Sequence, residues 1–205
     1  CSKIIENNLD IRWGANSRID TIDYEKVKAM SDAGCSVISF GVESGDGEIQ
    51  KHIKKFLKLD DVKKAVKICR DCKVMSMLYF VIGLPWDNVE TIRNTVIFAK
   101  NSRADFFEFH SAYPFPGTEM YNLGLKDKLF SKEDLKYGNY FTPIMDTYYL
   151  SKQEVNYERR RAIISVYFSM SFIIRTFIRL KSPKVILRYL YFGIGKFSHL
   201  LFHKY

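Results

Sequence analysis

The chain has 205 residues, of which 47% are hydrophobic and 27% are charged, and its formal net charge is +9. This length accommodates one globular domain with a hydrophobic core, alone or with an appendage. Four cysteines in a chain of this size argue against a disulfide framework. The first residue is Cys1, and we expect the chain to be the later part of a longer protein.

The positive charge is concentrated in the last quarter of the chain. Residues 151–205 contain eleven Lys and Arg but two acidic residues, a net charge of +9, whereas residues 1–150 contain 21 basic and 21 acidic residues. A neutral domain is therefore predicted to precede a strongly basic appendage. We place a domain at 1–125, a connecting segment at 126–150 and a basic, aromatic helical extension at 151–205.

Helical and extended patterns alternate along the domain. Residues 2–10 resemble the end of an amphipathic helix, and Gly34 is predicted to end a helix that Asp23 caps. Asp60 and Asn88 are predicted to cap two later helices. Strands joined through helices form right-handed βαβ units with a parallel sheet, so the predicted fold class is α/β. Strands are predicted over residues 9–16, 37–43, 75–82 and 105–111, and helices over 24–33, 47–56, 60–73 and from 88 onward.

Cys69 and Cys72 form a C-x-x-C pair. Such a pair can be half of a zinc site or a redox pair. It lies within a helical pattern whose apolar face includes Cys69, and no second Cys or His pair follows at ligand spacing. Burial in the core is therefore the favoured interpretation, and no metal ligand is predicted in the chain.

The stretch from Val37 to Gly45 offers the first candidate for chemistry. Apolar residues typical of a strand buried on both faces end in Glu43 and Ser44. A carboxylate is almost never buried without a partner, so Glu43 is expected to face a cleft. Ligands of parallel sheets and α/β barrels bind at the carboxyl ends of the strands. The alternative is that Ser44 or Asp46 merely caps the next helix.

The other three strands also end in residues that suit a ligand. The first strand leads to Arg18, the third ends at Gly83, and the fourth leads to His110 and Tyr113. A guanidinium can bind a carboxylate, and glycine lets a ligand approach the backbone closely. This combination favours a zwitterionic small molecule. The alternatives are a local pair of Arg18 with Asp20 and a structural role for His110.

Six short segments follow one another along the chain: WGANSRID at 13–20, AGC at 33–35, FGVESG at 40–45, IKK at 53–55, IGLP at 82–85 and PFPGT at 114–118. Taken in this order, they resemble the radical SAM enzymes. The resemblance is strongest to the group with an upstream cobalamin-binding domain, which includes the anaerobic magnesium-protoporphyrin IX monomethyl ester cyclases. No single segment is specific, but the ordered set covers nearly the whole chain.

The resemblance implies a fold, a set of cofactors and a chemistry. The expected fold is a partial, TIM-like (β/α) barrel, the later strands of a (β/α)6 core, followed by a C-terminal helical extension. The expected cofactors are S-adenosylmethionine (SAM), a 4Fe-4S cluster and, through an upstream domain, cobalamin. The cluster would cleave SAM reductively to methionine and a 5′-deoxyadenosyl radical, and cobalamin-dependent methyl transfer is the other chemistry that the resemblance implies.

The resemblance also assigns residues to the cofactor. Glu43 ends the strand that contacts the ribose or the amino acid moiety of SAM in this family. Gly83 ends the strand that contributes backbone and an apolar edge to adenine, and Arg18 corresponds to a position near the SAM carboxylate. No catalytic residue is assigned. The residues expected to bind SAM are Arg18, Glu43, Ser44, Val81, Ile82 and Gly83, and the substrate is expected near His110 and Tyr113.

The C-x-x-x-C-x-x-C motif that ligates the cluster in this family does not occur in these 205 residues. The cluster ligands are therefore expected upstream, and the fragment alone is expected to be inactive. An upstream sequence without this motif within roughly 100 residues of Cys1 would contradict the assignment. The expected partners are a small-molecule substrate and a reductant such as ferredoxin or flavodoxin, and the expected location is the cytoplasm.

Two other classes of function stay open. One is a non-catalytic α/β interaction module, and the other is a nucleic-acid-binding protein that uses the basic tail. Aromatic side chains such as Tyr167, Tyr189 and Phe192 could stack on bases there. For the tail itself a solvated charged face is favoured, peripheral membrane contact of 151–205 with anionic lipid comes second, and nucleic acid is the least favoured partner.

Overall fold

The computed structural model describes residues 1–139 and 141–179. Their order is helix, strand, helix, with strands and helices alternating up to residue 111 and helices alone thereafter. The strands are β1 (Trp13–Ser17), β2 (Cys35–Glu43), β3 (Met75–Ile82) and β4 (Phe106–Ser111). The helices are α1 (Ser2–Glu6), α2 (Tyr24–Asp32), α3 (Gly47–His52), α4 (Leu59–Asp71), α5 (Val89–Ser102), α6 (Glu119–Lys126), α7 (Lys152–Tyr167) and α8 (Met170–Arg179), with short 3₁₀ turns at Ile19–Thr21 and Asp134–Tyr137.

The four strands form one parallel sheet in the order β1-β2-β3-β4. Their carboxyl ends lie at one edge, because Ser17 pairs with Phe40 and Ile82 pairs with Ser111 in the register of the sheet. The predicted α/β class is confirmed, and the strands and their helices form a partial (β/α) barrel. Each strand therefore delivers its last residues to the same opening.

Most element boundaries agree with the sequence pattern, and the differences have local causes. Asp23 and Asn88 cap α2 and α5 as predicted, and Gly34 adopts a φ of 89° after α2. The prediction for α3 was too long: the helix ends at His52, and Phe56 has a φ of 51° and is 84% exposed. A left-handed backbone at a non-glycine residue ends a helix.

Two other boundary predictions were wrong. Residues 9–12 do not join β1, and Leu9 and Ile11 are exposed rather than packed on the sheet. The cap of α4 is Lys58, and Asp60 lies in the first turn of that helix. A carboxylate in the first turn still interacts favourably with the positive end of the helix dipole. Asp60 therefore marks the start of α4 through this interaction rather than as its cap.

The core lies between the sheet and the helices that cover it. Ile38, Phe40 and Val42 of β2 are fully buried, as expected of a strand covered on both faces. Cys69 of α4 is fully buried and Cys72 is 4% exposed. The core-packing interpretation of the C-x-x-C pair is therefore confirmed.

The C-terminal extension begins as part of this core. Val155, Ala162 and Val166 of α7 are buried, and the helix packs against β4 and α5. Arg159 Nη1 of α7 donates a hydrogen bond of 3.1 Å to the carbonyl oxygen of Phe109. Within the described part of the chain no single helix has the length and apolar character of a membrane span; α7 and α8 reach them only as a pair bent by 47°. Tyr189 and Phe192, cited for the tail, lie outside the described residues.

Candidate functional site

A cavity of about 1010 Å³ opens at the carboxyl ends of the strands. All four strands contribute to its lining, through Asn16 of β1, Glu43 of β2, Val81 of β3 and His110 of β4. Its volume is at the upper end of the range of about 300–1,000 Å³ that is usual for small-molecule sites. The cavity therefore stands where parallel α/β folds bind their ligands.

Glu43 and Lys55 form an ion pair inside this cavity. Lys55 Nζ donates to Glu43 Oε1 at 2.6 Å, and both side chains are 31% exposed. Lys55 reaches the strand end because α3 stops at His52 and Lys54 then turns with a φ of 55°. A Cβ atom at Gly41 would stand 2.6 Å from Glu43 Oε1, so any larger residue there would displace the ends of the paired side chains.

The backbone of Glu43 is strained. Its φ is 68°, and the register between β2 and β3 shifts between Gly41 and Glu43. A left-handed conformation costs a non-glycine residue about 1–2 kcal/mol. Such strain concentrates at functional sites, where the surrounding structure holds it in place. At Glu43 the turn brings the carboxylate to the cavity rather than into the sheet.

The facing wall of the cavity is aromatic and contains a second acid. His110 Nε2 lies 3.0 Å from Glu108 Oε2. The ring centroid of His110 lies 5.7 Å from that of Tyr79 and 5.7 Å from that of Phe141. Glu108 and Tyr79 also line the cavity. This wall offers flat apolar surfaces together with a polar pair.

Ser111, the last residue of β4, contributes a hydroxyl with no protein hydrogen bond among the described residues. Its side-chain oxygen is buried and the residue is 2% exposed. A buried hydroxyl without a partner costs roughly 1–3 kcal/mol. Ser111 is one of the residues that line the cavity.

Arg18 and Ser44 do not line the cavity. The Arg18 guanidinium makes two hydrogen bonds to Asp20, of 3.0 and 2.7 Å, and its side chain is 77% exposed. The local pair that the sequence left open is therefore present. The buried hydroxyl of Ser44 contacts Thr95 Oγ1 at 3.1 Å, and Asp46 caps α3. The helix-cap alternative accordingly applies to Asp46.

Of the three residues expected to contact adenine, Val81 lines the cavity and Ile82 is buried in the core. Gly83 has a φ of 89°, and its backbone N–H donates to Asp87 Oδ2 at 2.9 Å. A Cβ atom at Gly83 would stand 2.6 Å from Val155 Cγ1. Close packing of α7 is therefore one reason for glycine at this position.

Asp87 anchors the loop that follows β3. Its Oδ2 accepts hydrogen bonds from the backbone N–H groups of Gly83 and Leu84, and its Oδ1 accepts one from Thr91 Oγ1 at 2.9 Å. Burial raises the pKa of Asp87 to about 6, against the opposing effect of these hydrogen bonds. The shape of the cavity rim at this loop thus depends on a buried carboxyl group.

Tyr113 and His110, the two residues predicted to lie near the substrate, both line the cavity. The hydroxyl of Tyr113 donates to the carbonyl oxygen of Leu135 at 3.2 Å, and its ring centroid lies 4.8 Å from that of Phe115. The ring is thereby fixed in position. Its contribution to the cavity is a flat apolar surface.

The sequence-based list omitted Lys55, Tyr79 and Glu108. Tyr79 and Glu108 had a signal, since alternate residues of a strand share a face and these two precede Val81 and His110 by two positions. Lys55 belongs to the IKK segment at 53–55, but its approach to Glu43 had no signal, because it depends on the left-handed turn at Lys54. A turn of this kind is rare for lysine.

Three features of the cavity suit a ligand that has both polar groups and an apolar part. Glu43 can accept hydrogen bonds from hydroxyls or an ammonium group, Ser111 has an unused hydroxyl, and Val81 and Leu84 provide apolar surface. The 4Fe-4S cluster does not fit these residues: over residues 1–139 and 141–179, no group of three or more His, Cys, Asp or Glu is arranged to hold a metal ion.

Comparison with known proteins finds a matching family. The family described as the Radical SAM superfamily matches residues 2–99. This span contains β1, β2 and β3 and extends into α5, so it includes Glu43, Lys55 and Val81. Over these residues the chain is similar to the radical SAM superfamily, as its ordered motifs predicted, and the enzymes of this superfamily use SAM and a 4Fe-4S cluster.

Two relatives and one solved structure extend this finding. An uncharacterized methyltransferase of Pyrococcus horikoshii is 28% identical over 173 residues, 84% of this chain and 38% of that protein. The anaerobic magnesium-protoporphyrin IX monomethyl ester cyclase of Rubrivivax gelatinosus is 27% identical over 148 residues, 71% of this chain and 26% of that protein. The chain thus spans 38% or less of the length of either curated relative.

The solved structure is that of the radical SAM methyltransferase TsrM from Kitasatospora setae, with cobalamin and a 4Fe-4S cluster bound. The TM-score is 0.53 at 18% identity, over 62% of this chain and 25% of that one. At this identity the likeness concerns the fold, and it agrees with the partial barrel described above.

Proposed function

We propose that the cavity at the carboxyl ends of the strands binds SAM as part of a larger radical SAM enzyme acting on a small molecule. The observation that carries the proposal is the Glu43–Lys55 pair inside that cavity. When bound beside the cluster, SAM supplies either a 5′-deoxyadenosyl radical or, in cobalamin-dependent members, a methyl group. The cluster ligands, and any cobalamin domain, belong to a part of the protein outside these residues.

Each cavity residue has a distinct task in this proposal. The Glu43 carboxylate accepts hydrogen bonds from the ribose hydroxyls or the ammonium group of SAM, and Lys55 holds that carboxylate in place. Val81 packs against adenine. Ser111 completes its hydrogen bonding with the ligand, so that binding removes the penalty of an unpartnered buried hydroxyl.

The roles of Arg18, Ser44, Ile82 and Gly83 stay predictions. Arg18 would have to exchange Asp20 for the SAM carboxylate, a small loss because an exposed ion pair contributes about 0–1 kcal/mol. Ser44 and Ile82 would act through the strand ends that they stabilise. At Gly83 the amide N–H is already bonded to Asp87, so the carbonyl is the backbone group to test.

The aromatic wall of Tyr79, His110 and Tyr113 supports a flat or extended apolar substrate. Planar surfaces stack on aromatic rings and add about 0.5–1.5 kcal/mol per ring pair beyond the burial of area. One relative is named as a cyclase of a magnesium-protoporphyrin ester and another as a methyltransferase. Both names are compatible with a small-molecule substrate at this wall.

SAM binding to the 205-residue chain tests the site directly. Titration calorimetry should detect binding, and Glu43→Gln should weaken it about tenfold or more, because hydrogen bonds to a charged group contribute about 1.5–3 kcal/mol. Glu48→Gln is the matched control, since Glu48 is exposed on α3 and pairs with Lys51. Equal loss in both variants, or no binding to the whole protein with its cluster reconstituted, would contradict the proposal.

The activity requires the whole protein. After cluster reconstitution and reduction, release of 5′-deoxyadenosine indicates radical cleavage, and S-adenosylhomocysteine indicates methyl transfer. Reduced flavodoxin or ferredoxin in place of a chemical reductant tests the expected partner. The alternative of a non-catalytic interaction module predicts neither product from the reconstituted protein.

A further inference from the structure

The surface at the opposite end of the sheet carries a cluster of basic residues. A hollow of about 450 Å³ lies between α4 and the end of α5, and Lys63, Lys67, Arg70 and Arg103 line it. Lys63 pairs with Asp60 at 2.9 Å and Lys67 with Asp71 at 2.5 Å. The two lysines are therefore neutralised, whereas the two arginines have no such acid in the described part of the chain.

Arg175 of α8 extends this cluster. Burial, and then the positive charges of Arg103 and Arg70, lower the pKa of Arg175. No carboxylate lies within ion-pair distance of Arg70, Arg103 or Arg175 among residues 1–139 and 141–179. A group of like positive charges is stabilised by an anion, and we call Arg70, Arg103 and Arg175 the arginine cluster.

Beside the cluster, α8 exposes its apolar side. Met170, Ile174, Phe177 and Ile178 are 48–72% exposed. At 3.6 residues per turn these four side chains share about a third of the helix circumference, and Arg175 stands at the edge of that face. The reverse side of the helix holds Phe172, whose ring centroid lies 6.2 Å from that of Phe107. We call the exposed side the α8 apolar face.

We propose that the α8 apolar face and the arginine cluster together dock the protein on an anionic membrane surface. An interfacial helix buries such a face among lipid chains while basic residues attract anionic headgroups. The face has three aliphatic side chains and one aromatic ring, whereas nucleic-acid binding depends on aromatic stacking. A second copy docking through the same surface would place the unneutralised arginines opposite one another, which is unfavourable.

The sequence after the last described residue is also positively charged. Residues 180–205 contain five Lys and Arg and no acidic residue. They therefore add positive charge and provide no carboxylate side chain that could neutralise the arginine cluster. Phe107 lies at the amino end of β4, so the docking surface and the SAM cavity lie at opposite ends of the sheet. Docking leaves the cavity open to its ligands.

Sedimentation of the 205-residue chain with vesicles tests this proposal. We expect binding to vesicles that contain phosphatidylglycerol, little binding to phosphatidylcholine alone, and release at high salt. Arg70→Gln with Arg103→Asn should lower partitioning about 30-fold, at about five-fold for each charge near the surface. Asparagine suits position 103, whose φ is 59°.

Two further double variants complete the design. Ile174→Ser with Ile178→Ser removes apolar contact at exposed positions and should also weaken binding at unchanged charge. Lys126→Gln with Lys132→Gln removes two exposed charges near α6 and should leave binding within two- to three-fold of the unaltered chain, since these residues lie off the docking surface. Circular dichroism verifies that every variant is folded.

Several results would overturn the proposal. Equal binding to both vesicle types, no binding to either, or equal losses in the arginine and lysine variants would each do so. A shift from dimer to monomer in the Ile174→Ser with Ile178→Ser variant, without vesicle binding, would assign the α8 apolar face to a second copy. Arginine-dependent binding to duplex DNA but not to vesicles would assign the cluster to nucleic acid.

Discussion

Replacement of Glu43 by glycine and by alanine separates the strain at this residue from its charge. Both variants lose the carboxylate and its ion pair with Lys55. Only glycine relieves the left-handed backbone, whose φ is 68°. Relief is worth about 1–2 kcal/mol, and the extra freedom of glycine in the unfolded chain offsets about 0.5–1 kcal/mol of it. The glycine variant should therefore be about 0.5–1 kcal/mol more stable than the alanine variant.

Urea unfolding followed by circular dichroism measures this difference. In a chain of this size 1 kcal/mol corresponds to a change in Tm of about 2–4 °C, so thermal unfolding provides a second readout. Lys51 is the reference position, since it is an exposed residue of α3. There alanine should be more stable than glycine by about 1 kcal/mol, the usual order in a helix.

The sign of the difference decides the matter. If Glu43→Ala is as stable as Glu43→Gly or more stable, while Lys51→Ala is more stable than Lys51→Gly as expected, the backbone of Glu43 is not strained. SAM affinity should fall in both variants at 43, whatever their stability. A glycine variant that is well folded but binds SAM weakly would then identify a residue whose strain is retained for binding rather than for the fold.

Three further expectations concern the loop after β3 and the extension. Gly83→Ala should lower the free energy of unfolding by about 2–5 kcal/mol, because the φ of Gly83 is 89° and the added Cβ atom would overlap with Val155. In urea titrations of the double variant, Val155→Ala should restore only the part of this loss that comes from the overlap. The pKa of Asp87 in the folded chain is about 6, above its value in the unfolded chain. Between about pH 4 and 6 the folded chain therefore binds more protons than the unfolded chain does. The free energy of unfolding should fall by up to about 3 kcal/mol as the pH rises through that window. Asp87→Asn should abolish this slope, and parallel slopes in both proteins would contradict the burial of the carboxyl group. The hydrogen bond from Lys152 lowers the pKa of Asp134 to about 2, so the stability that the ionised Asp134 contributes is present above about pH 4 and is lost toward pH 2. Lys152→Gln should reduce this loss of stability at acid pH by less than about 1 kcal/mol, because the pair is partly exposed.

The fold was predictable because its signals are local and repeated. An eight-residue apolar run gave β3 its bounds without error, and the caps of α2 and α5 are side chains that satisfy free backbone N–H groups. The site was predictable in position, since parallel strands bring their carboxyl ends together. Glu43, Val81, His110 and Tyr113 line the cavity for that reason.

The partners of these residues were not predictable from local pattern. Lys55 reaches Glu43 through a left-handed turn, a conformation that a lysine in sequence gives no sign of adopting. Arg18 meets Asp20 two residues on rather than the cavity, because the chain turns into a 3₁₀ helix directly after it. The end of a strand determines which edge of the sheet a residue lies at, whereas the first turn of the following loop determines whether its side chain faces the cavity.

The extension connects the two ends of the sheet. Near its start, Val155 of α7 packs on Gly83 beside the cavity, where a Cβ atom would stand 2.6 Å from it. At its end, α7 leads to α8, where the positive charges of Arg103 and Arg70, after burial, lower the pKa of Arg175. The helix α7 therefore contacts the loop that Asp87 anchors, and it leads directly to α8, which carries the apolar face proposed for membrane docking.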